Sequence, residues 1–305
     1  MKSKDLRTIR DLDREEICSL LNLASEIKQK PDRFSDSLRG KALALIFEKP
    51  SLRTRLSFDV GIHQLGGFAV CLTQQEINLG KRESNRDVAR NLERMVQGVM
   101  IRTFSQEVVN EMAAAASIPV INGLTDYSHP CQALADFFTI REFKERLPGL
   151  RLCFVGDGNN VARSLMFLGA RLGVHITLAC PKGYEPDAET LNLVRSDAES
   201  TAASIEVMHD PEKAVEGADV IYTDVWASMG QEDEQGRRKK AFRPFQVNQG
   251  LMKLAGPDSL FMHCLPAHRG DEVTDGVIDG SSSVVFQQAE NRLHVQKALL
   301  VELMR

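Results

Sequence analysis

The sequence lacks several features that mark particular classes of protein. Its apolar runs, such as residues 42–47, are far shorter than the roughly 18–20 residues of a membrane-spanning helix, so no membrane protein is expected. The six cysteines include no CxxC pair and no Cys/His spacing typical of zinc sites, which predicts reduced thiols and no metal. The chain has no excess of positive charge: its net charge is −4 and its pI is near 6.0, which argues against a nucleic-acid-binding protein, although a local basic patch could still hold an anion.

The composition is that of a globular protein with a full core. Hydrophobic residues make up 43% and charged residues 26% of the 305 residues, a length that predicts about two domains at roughly 150 residues each. The first residues, Met1 to Arg7, are polar and are predicted to be helical, with no apolar segment suited to a signal peptide. We therefore expect a cytoplasmic protein.

Short apolar runs alternate with amphipathic stretches of helix length along the whole chain. Strands are predicted at 42–47, 69–72, 99–102, 119–122, 150–155, 175–179, 204–208, 219–223 and 259–262. Helices are predicted near 54–65, 86–97, 105–116, 160–171, 187–199, 211–216 and 246–254. This alternation is typical of an α/β fold, and it predicts two doubly wound parallel-sheet domains joined by bridging helices.

The boundary between the two series of strands is predicted within residues 142–150, where a charged stretch ends in Pro148 and Gly149. The helix that starts near Pro130 is expected to bridge the two halves. A strand-like stretch at 283–286 precedes the last helix, and residues 231–240 are predicted to be a mobile, solvated loop because they are almost entirely polar.

The first motif that carries chemistry is Ser51-Leu-Arg-Thr-Arg55, which follows a predicted strand and opens a helix. Unpaired N–H groups and the positive end of the dipole at a helix start bind anions, and arginine adds a planar pair of donors that matches phosphate. An ordinary Ser-capped helix with solvated arginines is the alternative.

Three further motifs follow predicted strands. His129-Pro-Cys-Gln132 comes after one strand, where a histidine could donate to a carbonyl group or exchange a proton, or could belong to a structural turn. Asp224, four residues before Ser228, suits recognition of an amine or could cap a loop. Cys264, next to His263, is either a nucleophile or a polar ligand contact.

A Gly-Asp-Gly-Asn-Asn stretch at 156–160 also lies between a strand and a helix, as a dinucleotide fingerprint does. The final glycine of that fingerprint is replaced by Val161, so NAD binding is not favoured.

Together and in this order, the motifs resemble the aspartate/ornithine carbamoyltransferase family over nearly the whole chain. They are residues 51–55 (SLRTR), 129–132 (HPCQ), Asp224 with 228–230 (SMG), 263–266 (HCLP) and 290–292 (ENR). The SMG and HCLP segments are similar to those of the ornithine branch. The resemblance implies a carbamoyl-phosphate domain at 1–140, with the helix 287–305 packing back on it, and an ornithine domain at 145–285. It also implies a homotrimer or an assembly of trimers, active sites at subunit interfaces and no cofactor.

The resemblance also implies roles for individual residues. The phosphate would be held by Ser51, Leu52, Arg53, Thr54, Asn78 and Arg102, and a neighbouring subunit would complete the site. The carbamoyl group would be held by His129, Gln132, Cys264, Leu265 and Arg292, and ornithine by Leu124, Asn160, Asp224, Ser228 and Met229. Four of these would be catalytic: Arg102, His129, Cys264 and Arg292. Leu52 and Asn78 depart from the family pattern, which has Thr and Gln at these positions.

The reaction so implied is attack of the δ-amine of ornithine on carbamoyl phosphate, giving citrulline and phosphate, with Cys264 as a contact and not an acylated nucleophile. The alternative acceptors are an N-acylated ornithine, which would leave Asp224 without an α-ammonium group, and putrescine, which has no carboxylate for the SMG loop. A non-catalytic relative is a further alternative, against which the retention of three arginines and His129 argues.

Overall fold

The computed structural model describes residues 1–227 and 232–305, which form two parallel β-sheets with helices between the strands. The predicted α/β class is thereby confirmed. The chain divides into two compact units, one of Met1–Phe138 with Glu290–Arg305 and the other of Thr139–Ala289. None of the described helices is long and apolar enough to cross a membrane.

The first unit contains a four-stranded sheet. Its strands are β1 (Ala42–Phe47), β2 (Phe68–Thr73), β3 (Gly98–Arg102) and β4 (Val120–Leu124), in the spatial order β2-β1-β3-β4. Its α-helices are α1 (Arg14–Gln29), α2 (Leu52–Gln64), α3 (Gln74–Ile77), α4 (Asn85–Leu92) and α5 (Gln106–Ala115). Two 3₁₀ turns lie at Ile9–Asp11 and Pro31–Phe34. Strand β1 is almost entirely buried, as its unbroken apolar sequence requires.

The first residues of the chain pair with the edge of this sheet and are not helical, as had been predicted from their polarity. The Leu6 N–H donates to the carbonyl of Val120 at 3.0 Å, and the Leu6 carbonyl accepts from the N–H of Asn122 at 2.7 Å. The Leu6 side chain is buried. Leu6 therefore covers the outer edge of β4.

The second unit contains a five-stranded sheet. Its strands are β5 (Arg151–Val155), β6 (His175–Ala179), β7 (Ile205–Met208), β8 (Val220–Thr223) and β9 (Leu260–His263), in the order β7-β6-β5-β8-β9. Helix α6 (Pro130–Lys144) precedes it, and α7 (Asn160–Leu172), α8 (Ala188–Ala198), α9 (Pro211–Val215), α10 (Gln235–Phe242), α11 (Gln249–Met252), α12 (Asp275–Ile278) and α13 (Val285–Met304) follow in the chain. The boundaries between the units fall within α6 and α13.

All nine predicted strands are confirmed within a few residues, but three other elements differ from prediction. Helix α4 ends at Leu92 and α11 covers only Gln249–Met252, so both are shorter than predicted. The strand predicted at 283–286 is wrong: Ser283 forms a single bridge with Phe261, and α13 starts at Val285.

The stretch predicted as a solvated loop is helical wherever it is described. A 3₁₀ turn at Glu232–Glu234 leads directly into α10, in which Arg238 and Phe242 are buried. Phe242 packs in the core of the second unit together with Trp226. One buried aromatic side chain therefore anchors a segment whose composition is otherwise polar.

In each sheet, the direction in which the chain adds successive strands reverses once. The connections from β1 lead to β2 on one side and then to β3 on the other, and β5 has the same relation to β6 and β8. In open α/β sheets, ligands bind at the carboxyl ends of the strands where the order reverses. The sites are therefore expected beyond the ends of β1 and β3 in the first sheet, and of β5 and β8 in the second.

Candidate active site

The helix that follows β1 begins as the sequence predicted. Ser51 is the N-cap of α2, and its Oγ accepts a hydrogen bond from the N–H of Thr54 at 3.2 Å. Leu52, the first residue of the helix, is exposed, whereas Arg53 is half-buried. The first turn of α2 thus adds the positive end of a helix dipole to the carboxyl edge of the first sheet.

Two guanidinium groups converge on the hydroxyl of Thr54. Its Oγ1 accepts from Nη2 of Arg292 at 2.9 Å and from Nη1 of Arg102 at 3.4 Å. Arg102 ends β3 opposite Phe47, the last residue of β1. Both arginines are nearly inaccessible, with 6% of Arg102 and 2% of Arg292 exposed. Two buried positive charges therefore lie at the point where the first sheet reverses.

Gln132 extends this cluster onto α6. Its Oε1 accepts from Nη1 of Arg292 at 2.8 Å, while its Nε2 donates to Oδ1 of Asp136 at 2.8 Å. The two bonds fix which end of the amide faces Arg292. Gln132 and Asp136 lie one turn apart on α6, so the arginine is positioned by a helix and not by a loop.

His129, directly before α6, is buried beside the same charges. Burial, and then the charges of Arg292, Arg102 and Arg53, hold the pKa of this imidazole well below its usual value. His129 is therefore neutral at pH 7 and can donate one hydrogen bond without adding a further positive charge.

This shift makes folding stability depend on pH. Because unfolded His129 takes up a proton near pH 6.5 and the folded side chain resists protonation, stability is expected to fall as the pH drops below about 6.5, by up to about 1.4 kcal/mol per pH unit. Urea unfolding between pH 5 and 8 measures this slope. In His129→Gln the slope should be smaller by that amount, and in His268→Gln, an exposed control, it should match wild type. Equal slopes in wild type and His129→Gln would contradict the assignment.

Asp224 lies directly after β8 in the second unit and is held by three donors. Its Oδ2 accepts from Nδ2 of Asn159 at 2.8 Å. Its Oδ1 accepts from its neighbour's N–H, that of Val225, at 2.8 Å and from Sγ of Cys264 at 3.0 Å. Asn159 follows β5, so this carboxylate lies where the second sheet reverses. The predicted Asp224 and Cys264 are in direct contact.

The contacts of Asn159 also bear on the alternative that residues 156–160 bind a dinucleotide. It caps α7, with its Oδ1 accepting from the N–H groups of Val161 at 2.9 Å and Ala162 at 3.1 Å. In a dinucleotide site, donors at this helix start would face a pyrophosphate. Here a side chain accepts from two of them, which disfavours the alternative.

The segment that carries Cys264 is fixed by a buried histidine. Nδ1 of His263 accepts from the N–H of Leu265 at 2.8 Å, so the ring proton lies on Nε2, which donates to Oε1 of Glu272 at 3.2 Å. The same carboxylate oxygen accepts from the N–H of His268 at 2.6 Å. Leu265 has a φ of 58°, a left-handed conformation that costs a leucine about 1–2 kcal/mol. The hydrogen bonds of His263 and Glu272 therefore hold Leu265 in a backbone conformation that a leucine disfavours.

An ion pair next to Asp224 was missed by the sequence analysis. Arg238 of α10 donates from Nη1 to Oδ2 of Asp157 at 2.8 Å and to the carbonyl of Trp226 at 3.0 Å. Burial is the main cause that raises the pKa of Asp157, and the charge of Asp224 also raises it, whereas Arg238 opposes the shift. Asp157 precedes Asn159 by two residues. The only signal for this ion pair in the sequence was the Gly-Asp-Gly turn that contains Asp157. Arg238 could not be singled out, because it stands in a run of charged residues.

Removing this ion pair should destabilise the second unit. We expect Arg238→Gln to lower the free energy of unfolding by about 2 kcal/mol, because Asp157 loses a charged partner and must be protonated or left buried without it. The matched control is Arg237→Gln, which changes the exposed neighbouring residue and should cost less than about 0.5 kcal/mol. Urea denaturation of the three proteins at pH 7 measures both values. Equal losses in the two variants would show that the buried pair contributes nothing special.

The remaining predicted residues are not all in these clusters. Asn78 is exposed after α3, with a φ of 47°. Leu124 ends β4 and is half-buried, and Asn160 is buried as the first residue of α7. Ser228 and Met229 lie outside the described residues.

Two domain models of one known protein family match the two halves of the chain. The family model described as the aspartate/ornithine carbamoyltransferase carbamoyl-P binding domain matches residues 4–142. The model described as the Asp/Orn binding domain of the same family matches residues 148–303. The chain belongs to the aspartate/ornithine carbamoyltransferase family. The resemblance inferred from the ordered motifs is thereby confirmed.

Several relatives that align over the full length of this chain are named ornithine carbamoyltransferase. The ornithine carbamoyltransferase of Thermococcus kodakarensis is 53% identical, with 100% of this chain and 97% of the relative aligned. The anabolic ornithine carbamoyltransferase of Pyrococcus furiosus is 52% identical over 100% and 97% of the two chains. Among solved structures, the P. furiosus ornithine carbamoyltransferase matches 98% of this chain and 96% of its own with a TM-score of 0.95 at 53% identity. The Thermus thermophilus enzyme matches 99% of both chains with a TM-score of 0.89 at 44% identity.

The cluster around Thr54 contains residues from both of the segments that the family models match. Ser51, Thr54, Arg102 and Gln132 lie in the segment matched by the carbamoyl-P binding domain, whereas Arg292 lies in the segment matched by the Asp/Orn binding domain. By its contacts, Arg292 belongs to the first unit. The last helix therefore supplies Arg292 to the first unit, although the family models place this residue in the second segment of the sequence.

Proposed function

We propose that this carbamoyltransferase transfers the carbamoyl group of carbamoyl phosphate to the δ-amine of L-ornithine, giving L-citrulline and phosphate. The observation that carries the proposal is the convergence of buried Arg102 and Arg292 on Thr54 at the start of α2. The full-length similarity to proteins named ornithine carbamoyltransferase supports the acceptor. Serving the biosynthesis of arginine is part of the proposal and is supported by the word anabolic in one relative's name.

The phosphate of the donor is assigned to the start of α2. Its oxygens would be bound by the side chains of Ser51, Arg53 and Thr54, the N–H of Leu52, and the guanidinium groups of Arg102 and Arg292. Leu52 would act only through its backbone, which explains how the family's threonine can be replaced here by an exposed leucine. Asn78 of a neighbouring copy of the chain would complete the site. These charges stabilise the leaving phosphate as the C–O bond breaks.

The carbamoyl group is assigned to the residues next to these arginines. Neutral His129 would donate to the carbonyl oxygen, with Arg292 sharing the negative charge that develops there. Gln132 and the backbone at Cys264 and Leu265 would hold the amide. Because Gln132 and Arg292 are already hydrogen-bonded to one another, little reorganisation accompanies charge development.

Ornithine is assigned to the switch point of the second sheet. Asp224 would pair with its α-ammonium group, and Leu124, Asn160, Ser228 and Met229 would surround the rest of the molecule. The δ-amine must lose its proton before it attacks. With an amine pKa of about 10.4, this costs roughly 4.6 kcal/mol at pH 7, so activity should rise toward alkaline pH.

Direct attack requires no covalent intermediate on the enzyme. The thiol of Cys264 donates to Asp224 and would serve as a contact near the amine. Cys264→Ser should therefore keep measurable turnover, and intact-mass spectrometry of wild type quenched during turnover should show no carbamoyl adduct. An adduct of carbamoyl mass on Cys264 would overturn direct attack.

The working enzyme is proposed to be a homotrimer, or an assembly of trimers, in the cytoplasm. Large apolar side chains are exposed on α2 and on the edge strand β2, among them Leu56, Val60, Phe68 and Val70. Such a surface favours contact with a second copy of the chain. Sedimentation equilibrium should give about three times the 33.9 kDa of one chain, or a multiple of that value.

A colorimetric assay of ureido products tests the whole proposal. With carbamoyl phosphate as donor, ornithine should give product, and N-acetylornithine, putrescine and aspartate should each react at less than about 1% of its kcat/KM. Activity with N-acetylornithine or putrescine above that with ornithine would replace the acceptor while keeping the donor chemistry. Failure with all four would favour a non-catalytic relative.

A further inference from the structure

A second group of side chains with metal-ligating atoms lies at the carboxyl edge of the second sheet. Cys180 directly follows β6, His209 directly follows β7, and Glu185 belongs to the loop after Cys180. One ligand atom from each of the three side chains lies within 4.8 Å of the others. Residues far apart in the sequence are brought together because β6 and β7 are neighbours.

Hydrogen bonds orient two of these side chains toward a common point. Nδ1 of His209 lies 2.9 Å from the carbonyl of Cys180, to which a neutral imidazole donates through this nitrogen. Its Nε2 then carries a lone pair and lies 3.4 Å from Oε1 of Glu185. The other oxygen of Glu185 accepts from the N–H of Gly183 at 2.7 Å. In that arrangement the Nε2 lone pair of His209 and the carboxylate oxygen of Glu185 are both available to the same cation, either a proton or a metal ion.

We propose that Cys180, Glu185 and His209 form a binding site for a divalent metal ion of the zinc type. A sulfur, an imidazole nitrogen and a carboxylate oxygen are ligands that suit Zn²⁺ better than Mg²⁺ or Ca²⁺. Tetrahedral zinc places such ligands about 3.3–3.8 Å apart, so the three atoms need only a small closing movement. The bond from His209 to a backbone carbonyl is the outer-sphere contact that commonly fixes a histidine ligand.

The surroundings of the three side chains allow entry of the ion and a fourth ligand. Cys180 is buried, whereas 29% of the side chain of Glu185 and 37% of that of His209 are exposed. Water can therefore complete a tetrahedron from the outer side. On binding, the thiol exchanges its proton for the metal, and the proton leaves to solvent.

The other described group of this kind is a poorer candidate. Asp224, His263 and Cys264 also lie within 4.8 Å of one another. Both ring nitrogens of His263 are engaged, however, one as acceptor from Leu265 and the other as donor to Glu272. This second group also belongs to the site assigned to ornithine, so it serves as the internal comparison.

A metal in the Cys180 site would brace the loop next to Asp157. The N–H of Gly158 donates to the carbonyl of Tyr184 at 2.9 Å. A Cβ on Gly158 would lie 2.5 Å from the backbone nitrogen of Pro186, so the two loops are in close contact. The ring of Tyr184 also lies under the guanidinium of Arg238, 5.1 Å from it. Metal binding should therefore stabilise the second unit without acting in the reaction.

Cobalt titration of the chelator-treated protein tests the proposal. Co²⁺ in a tetrahedral site with a thiolate ligand gives near-ultraviolet charge-transfer and visible d–d bands, and these should saturate at one ion per chain. Stoichiometric Zn²⁺ should abolish both bands and raise Tm. Glu185→Gln and His209→Gln, at partly exposed positions, should each weaken the Kd for Co²⁺ at least tenfold.

The cysteine variants identify the sulfur ligand. The charge-transfer band should be lost in Cys180→Ser and retained in Cys264→Ser, with folding of each variant checked by circular dichroism. If Cys180→Ser does not fold, the Glu185 and His209 variants decide the result. No charge-transfer band in wild type, a band lost only with Cys264, or unchanged affinity in both surface variants would overturn the proposal.

Discussion

Replacing Arg292 with methionine is expected to lower kcat/KM for carbamoyl transfer about a thousandfold. Arg292 donates to both Thr54 and Gln132, so its loss removes a positive charge and leaves two buried acceptors without this donor. Removing one preorganised group that stabilises developing charge typically costs 10²–10³ in rate, or about 2.7–4 kcal/mol. Steady-state kinetics with each substrate varied in turn measure the loss.

Two controls separate this effect from a loss of folding. Arg305→Met makes the same change at an exposed position just beyond the end of α13 and should leave the kinetics unchanged. Arg292→Lys keeps the charge but not the paired donors, and should recover only part of the rate. If Arg292→Met retained activity within tenfold of wild type while folded, Arg292 would have no place in the donor site.

Asp224→Asn is expected to lower kcat/KM for ornithine by about thirtyfold to several hundredfold. The substitution keeps the shape of the side chain but removes the charge assigned to the α-ammonium group, a loss of roughly 2–4 kcal/mol. The Kd of carbamoyl phosphate, measured by calorimetry, should barely change, since its contacts are assigned to the first unit.

A matched control and a split between substrates make this result specific. Asp258→Asn alters an exposed carboxylate of the same unit and should behave as wild type. N-acetylornithine, which has no α-ammonium group, should lose little further activity with Asp224→Asn. Two outcomes would return the N-acylated acceptor to consideration. They are ornithine kinetics within threefold of wild type, or equal losses for ornithine and carbamoyl phosphate.

Local patterns in the sequence were sufficient to predict both sheets and the start of α2, to which the phosphate of the donor is assigned. Strand β1 and the start of α2 are adjacent in the chain, so the apolar run and the Ser51 cap could be located without knowing the fold. The carboxyl edge was also predictable, because in parallel sheets all strand ends lie on one side.

Contacts between distant segments could not be predicted from such patterns. Arg238 stands among charged residues in the sequence, and only the fold brings it to the carboxylate of Asp157 and the carbonyl of Trp226. Asn159 was considered only as part of a failed dinucleotide motif, although it binds Asp224. The start of α13 was misjudged because Val285 and Phe286 suit a strand as well as a helix, and only their neighbours in the fold decide between them.

The pairing of Leu6 with β4 has a practical consequence for handling the protein. Deleting the residues through Leu6 would bare the N–H of Asn122 and the carbonyl of Val120 on an open strand edge, the kind of edge that recruits strands of other molecules. Such a truncation should promote aggregation during refolding even though every residue of the cluster around Thr54 remains. An affinity tag for purification is therefore better placed after Arg305, which is exposed, than joined closely to the first strand-pairing residues.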